Sequence, residues 1–81
     1  MMTRIEVLIN VILARTYPRY IGTNEVLGFI QSHDVSCTVR TVQRHLKTMS
    51  RHRFVEMVGE SPSSYRYSQE IGISIQGNKH A

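Results

Sequence analysis

The chain has 81 residues, of which ten are Lys or Arg, six are Asp or Glu and four are His, for a formal net charge of +4. Hydrophobic residues make up 41%, enough for a core and too many for a disordered chain. A domain of this length buries only ~60–65% of its unfolded surface, which excludes a second sensing or catalytic domain within these residues and argues against a deep, water-excluding active site.

What stays open is a small basic module whose partner is nucleic acid, an anionic membrane surface or another protein. The single cysteine, Cys37, excludes an intrachain disulfide framework. A small chain without disulfides reads as cytoplasmic. Arg4 precedes the apolar stretch Val7 to Ala14 as in a signal peptide, but Glu6 and Asn10 interrupt it and no small-x-small cleavage site follows. No run approaches the ~20 apolar residues of a membrane span.

Thr3-Arg-Ile-Glu6 forms a capping box. Ile5, Leu8, Ile9, Ile12 and Leu13 then follow i, i+3, i+4, i+7, i+8, one apolar stripe of a first helix, with Val7, Val11 and Ala14 as a second, weaker stripe. Pro18 ends this helix near Arg15 or Thr16. Tyr17 to Gly22 is a connector, and Tyr20-Ile21 is a candidate for a very short strand. Thr23 is the expected N-cap of a second helix, with Glu25 in its first turn. Val26, Leu27 and Ile30 form the buried face of that helix, Phe29 lies at its margin, and Ser32-His-Asp34 ends it.

Thr38 is the next expected N-cap, with Cys37 and Val42 placed as a hydrophobic staple. Val39, Val42, Leu46 and Met49 share one face of a helix running from Val39 to about Arg51. From Phe54 the period changes to two. Phe54–Val58 and Ser64–Ser68 flank a loop and predict a hairpin in which Val55 faces Tyr67, Glu56 faces Arg66 and Met57 faces Tyr65. That register assigns Tyr65 and Tyr67 to the core rather than to base stacking. Ile71, Ile73 and Ile75 alternate with Gly72, Ser74 and Gln76, which predicts a further C-terminal strand, and Gly77 to Ala81 reads as a frayed tail.

Three helices followed by a hairpin, with a short link between the second and third, give an α+β winged helix-turn-helix over residues 1–68, with residues 69–81 as a C-terminal strand and tail. The charge supports this reading. Arg40, Arg44, Lys47, Arg51 and Arg53 lie within residues 38–53 with no acidic residue among them, a local +5, while five basic and six acidic residues elsewhere sum to −1. At 100° per residue, Arg40, Arg44, Lys47 and Arg51 fall within about 60° of one another, roughly opposite the apolar stripe. Like charges at i, i+4 cost ~0.2–0.5 kcal/mol each, and a helix selected only for stability would interleave Glu. The pattern points to a helix that contacts phosphates and bases.

In such a helix the N-terminal turns enter the major groove. Arg40 and Arg44 are candidates for bidentate contacts to guanine, Gln43 for adenine, and the Thr41 methyl for thymine. Lys47, Arg51, Arg53 and Arg66 are candidate phosphate contacts, as are the backbone amides at Thr23. A membrane-binding face would set large apolar residues beside the cations, and this face has none.

Arg40-Thr-Val-Gln-Arg-His-Leu46, preceded by the Thr38 cap, resembles the recognition helix of small bacterial winged-helix transcription regulators, most nearly the DNA-binding domains of WYL-type and DeoR-like regulators. Ile21-Gly-Thr-Asn-Glu-Val-Leu27 suits the start of their second helix, and the resemblance covers about residues 5–68. It implies DNA contact by Arg40, Thr41, Gln43 and Arg44. Stand-alone regulators of this size are common in phages and mobile elements. Two departures stand out: the loop Glu60-Ser-Pro-Ser-Ser64 lacks the basic tip of many family wings, and the ligand-sensing domain of WYL-type proteins is missing.

Cys37 with His45 or His52 fits no zinc spacing, and only Asp34 could serve as an aspartate orienting a histidine. No catalytic residue, metal or cofactor is expected. Cys37 reads as a small buried hydrophobe. Val7 and Val11, together with Ile71, Ile73 and Ile75, exceed what so small a core needs, and suggest a homodimer interface for a palindromic site. The leading expectation is therefore a dimeric regulator of double-stranded DNA, acting as a repressor. The alternative is a winged-helix protein–protein module, such as a phage-encoded inhibitor of a nucleic-acid-binding host protein. RNA binding shares the electrostatics.

Overall fold

A computed structural model describes residues 2–60 and 62–79. Its elements are α1 (Arg4–Thr16), β1 (Ile21–Gly22), α2 (Thr23–Gln31), α3 (Val39–Arg51), β2 (Val55–Val58), β3 (Ser64–Tyr67) and α4 (Gln69–Lys79). The described residues thus form a small α+β unit of four helices and a three-stranded antiparallel sheet in the order β1-β3-β2.

The helices begin where side chains can satisfy their first amides. The Thr3 hydroxyl accepts from the Glu6 amide at 3.2 Å at α1, and the Thr38 hydroxyl accepts from the Thr41 amide at 3.3 Å at α3. α2 departs from expectation. Its N-cap is Gly22, which makes no side-chain cap bond, and Thr23 is the first helical residue and is buried. β1 correspondingly shifts by one residue, from the expected Tyr20-Ile21 to Ile21–Gly22. α3 ends in a Schellman motif: the Phe54 amide donates to the Met49 carbonyl (2.9 Å) and the Arg53 amide to the Ser50 carbonyl (3.0 Å). Arg53 takes the left-handed position at φ 64° that glycine usually fills. The chain therefore turns directly from α3 into β2.

The core joins Leu8, Ile9, Ile12 and Leu13 of α1 to Ile21, to Val26 and Ile30 of α2, to Val42 and Leu46 of α3, and to Val55, Tyr65 and Tyr67 of the sheet. Ile5, Leu27, Phe29, Cys37 and Met49 pack at its edge, half-buried. Val39 is the exception on α3, 38% exposed because it stands in the first turn, beyond the reach of the core. The hairpin has the expected register, Val55 against Tyr67, Glu56 against Arg66 and Met57 against Tyr65. Tyr65 and Tyr67 are both buried, whereas Met57 and Val58 are exposed where β2 runs past the core.

The Tyr67 hydroxyl donates into the carbonyl oxygen and Oδ1 of Asn10 on α1, at 3.0 and 2.5 Å. Burial pushes its pKa up to about 12. The unfolded tyrosine titrates near 10, so the neutral form is favoured by folding. Its contribution to stability is complete below about pH 10 and is lost as pH rises toward about 12. A urea midpoint that falls between pH 9.5 and pH 11.5, with the fall reduced in Tyr67→Phe, is the expected result. An equal fall in both proteins would assign the alkaline loss to other groups.

The C-terminal segment corrects the sequence reading. Residues 69–79 form α4, not a strand and frayed tail. His80 and Ala81 lie outside the described residues. Both edges of β3 are already taken, by β1 and by β2, so the core-covering strand has no open edge for a further partner. In helical form Ile71 and Ile75 share a face and pack against the core, while Ile73 points away and is 56% exposed.

Gly72 permits this docking. The Tyr17 ring lies where a Cβ at position 72 would stand. Alanine for glycine within a helix ordinarily adds ~1 kcal/mol. Gly72→Ala is expected to lower the thermal midpoint instead, and Tyr17→Ala in the same chain is expected to remove that penalty. A Gly72→Ala protein more stable than the parent would overturn this account of the contact.

Candidate nucleic-acid interface

Val42 and Leu46 anchor α3 in the core with no exposed surface, and this fixes which face of the helix meets solvent. Arg40, Arg44, Lys47 and Arg51 stand on that outer face and are all exposed, as are Gln43 and Arg53. Among the described residues, no acidic side chain lies within ion-pair distance of Arg40, Arg44, Lys47, Arg51 or Arg53. The cationic arc is open and, among the described residues, unneutralised.

One flank of this arc borders a cleft of about 420 Å³. Val39, Gln43 and Lys47 line it from α3, Gly22, Thr23 and Asn24 from the start of α2, and Pro62 and Ser63 from the β2–β3 loop. Helix α2 thus presents amides without a side-chain cap beside Lys47 and Gln43. Backbone N–H groups at a helix start and a lysine ammonium together suit an anionic oxygen. The Thr23 hydroxyl does not take part at the surface, because the residue is buried. Asn24 and Ser63 were not singled out in the sequence. Only the fold shows that the loop meets the start of α2.

The remaining expected contacts are placed differently. Thr41 is half-buried on the other flank of α3, its hydroxyl 3.1 Å from that of Thr38. Arg66 is committed within the protein. Its Nε donates to Glu56 at 2.9 Å, a terminal nitrogen donates to the Pro18 carbonyl at 3.0 Å, and the guanidinium lies 4.5 Å from the Tyr20 ring centre. The Glu56 hydrogen bond raises the Arg66 pKa further. In the first turn of α2, Glu25 pairs with Arg19 at 2.7 Å. The Arg19 guanidinium holds its carboxyl below the usual range.

The proposed dimer residues fall into two sets: Val7 and Ile73 are exposed, while Val11, Ile71 and Ile75 are half-buried. Cys37 is half-buried, with its thiol 3.6 Å from the Thr38 carbonyl. Among the described residues, no three His, Cys, Asp or Glu side chains come together as a metal site, and no helix is long and apolar enough to cross a membrane. Compared with protein-family models, curated proteins and solved structures, the chain matches none.

Proposed function

We propose that this chain is a winged-helix domain that binds double-stranded DNA sequence-specifically as a transcription regulator. In this reading α3 is the recognition helix in the major groove, α2 is the supporting helix of the helix-turn-helix, and β2–β3 is the wing. The observation that carries it is the charge on α3: four exposed cations on one arc, opposite the buried Val42 and Leu46, with no acid on the helix. Arg40, Arg44 and Gln43 are the base-reading side chains. Lys47, Arg51 and Arg53, with the α2 amides at Thr23, hold phosphates. The likeness of Arg40–Leu46 to the recognition helices of WYL-type and DeoR-like regulators supports the same assignment. Arg66, paired with Glu56, contributes little.

One observation favours a second reading. The β2–β3 loop carries Glu60 and no Lys or Arg, so the wing adds no phosphate contact. The same α3 face would then dock on an acidic, DNA-mimicking protein surface. Selection of bound sequences from a random duplex pool separates the two. An enriched palindrome supports specific DNA binding by a homodimer. An enriched asymmetric site supports DNA binding by a monomer, and the absence of enrichment favours the protein partner. A single-stranded RNA pool run in parallel excludes or establishes RNA as the ligand.

A further inference from the structure

The other flank of α3 borders a larger groove of about 650 Å³, within the ~300–1,000 Å³ of small-molecule sites. α1 and α3 each pack extensively on α2, and Ile71 of α4 lines the groove beside them. The groove has an apolar body formed by Met2, Met49, Phe54, Ile71 and the ring of Tyr67. Met2 and Phe54 are half-exposed there, so the apolar body of the groove is open to solvent.

The polar groups of the groove are unequally engaged. On the α1 wall, Asn10 is bound to the Tyr67 hydroxyl and the Glu6 carbonyl, and the Glu6 carboxylate accepts from the Thr3 hydroxyl. On the α3 wall, Arg44, His45, Thr48 and His52 make no side-chain hydrogen bond to the described residues. The free donors therefore sit on one wall, beside an apolar body.

We propose that this groove binds a small molecule with an apolar body and one anionic head group, the head held by Arg44 and the neighbouring α3 donors. Thr48, His45 and His52 are the neighbouring donors. Resting on the DNA-binding reading, the site is also regulatory. Arg44 belongs to the cationic arc, and a guanidinium clamped on a ligand anion is withdrawn from a base. Ligand and duplex then weaken each other by the same factor.

The test uses the full chain and the fluorescent probe 8-anilinonaphthalene-1-sulfonate. Saturable one-to-one binding is expected, displaced by decanoate at concentrations where decanol has no effect. Loss of a charge-assisted hydrogen bond predicts about tenfold weaker binding for Arg44→Gln. Arg15→Gln, the same charge change away from the groove, leaves probe affinity unchanged. Unfolding midpoints confirm that each variant is folded, and Phe54→Ala provides a second, uncharged lesion that also weakens the probe.

Equal displacement by decanol, or full affinity in both Arg44→Gln and Phe54→Ala, would overturn the proposal. So would sedimentation showing that a second copy of the chain displaces the probe. A groove that binds the probe in a protein with no duplex affinity would leave this site standing and remove the DNA reading. Probe and duplex binding together without mutual weakening would remove the coupling.

Discussion

Replacing Arg40 and Arg44 together by alanine is expected to lower affinity for the selected duplex by about 2–6 kcal/mol, roughly thirtyfold to twenty-thousandfold, if each is a bidentate base contact worth ~1–3 kcal/mol. The fold should survive. Both side chains are exposed and unpaired with acids among the described residues. Alanine is the best helix former, and its substitution relieves a like-charge i, i+4 contact.

The helical signal and thermal midpoint of the double variant are therefore expected to match or exceed those of the parent. Specificity distinguishes base contact from phosphate contact. Loss of base readers weakens the selected site more than a scrambled duplex. Lys47→Ala weakens both alike and reduces the log–log salt slope by ~0.9. Unchanged duplex affinity in the Arg40/Arg44 variant would remove α3 as the reading element.

The second large effect is on stability. Leu46→Ala is expected to cost ~2–5 kcal/mol, the range for deleting a buried leucine side chain. A domain of this size has ~4–12 kcal/mol in all, so one substitution removes about a sixth of the total at the least and, toward the other ends of the two ranges, most of it. The thermal midpoint is expected to fall by about 10 °C or more, since each kcal/mol shifts a domain of this length by ~4–8 °C.

The site explains the severity. Leu46 has no exposed surface and lies with Val42, Val26, Ile30 and Tyr65 in the one core cluster. Among the described residues no second core takes up the loss. Leu46 also sets the facing of α3, so the substitution loosens the cationic arc against the rest of the domain. Lys47→Ala, the next residue along, leaves the midpoint within ~0.5 kcal/mol of the parent because it is exposed. A similar midpoint for both variants, by circular dichroism, would contradict the proposed anchoring.

These predictions rest on features legible to different degrees in the linear chain. Local chemistry was readable where it is self-sufficient. Thr3 and Thr38 announce α1 and α3 because a hydroxyl at that position satisfies an amide three residues on. The stripes of α1, α2 and α3 follow the helical period; their centres are buried, Ile5, Leu27 and Met49 are half-buried at the edge, and Val39 is exposed. The hairpin register was readable because Val55–Tyr67 and Glu56–Arg66 match only when the strands are aligned as they are. The concentration of charge on one helix face was likewise present in the spacing of Arg40, Arg44, Lys47 and Arg51.

What the chain order could not show depends on neighbours distant in sequence. Ile71, Ile73 and Ile75 alternate like a strand, but an alternating triplet becomes a strand only beside an open sheet edge. β1, a two-residue segment some forty positions earlier, occupies the β3 edge that β2 leaves free, so β3, the strand that leads into this segment, offers it no edge, and the segment pairs with neither outer edge of the sheet. The segment instead folds as α4, and Gly72 lets it settle against Tyr17.

The fate of the cations was decided in the same way. The pairing of Arg66 with Glu56 was legible in the hairpin register, whereas its bond to the Pro18 carbonyl and its place over the Tyr20 ring come only from the packing of the sheet against the segment after α1. The groove between α1 and α3 has no trace in either period. Its lining runs from Met2 to Ile71, residues distant in sequence that only three-dimensional packing brings together. The starting +4 was an average over the chain. Helical spacing placed the excess on one face, and tertiary contacts determined which cations on the molecule remain free to meet an anion.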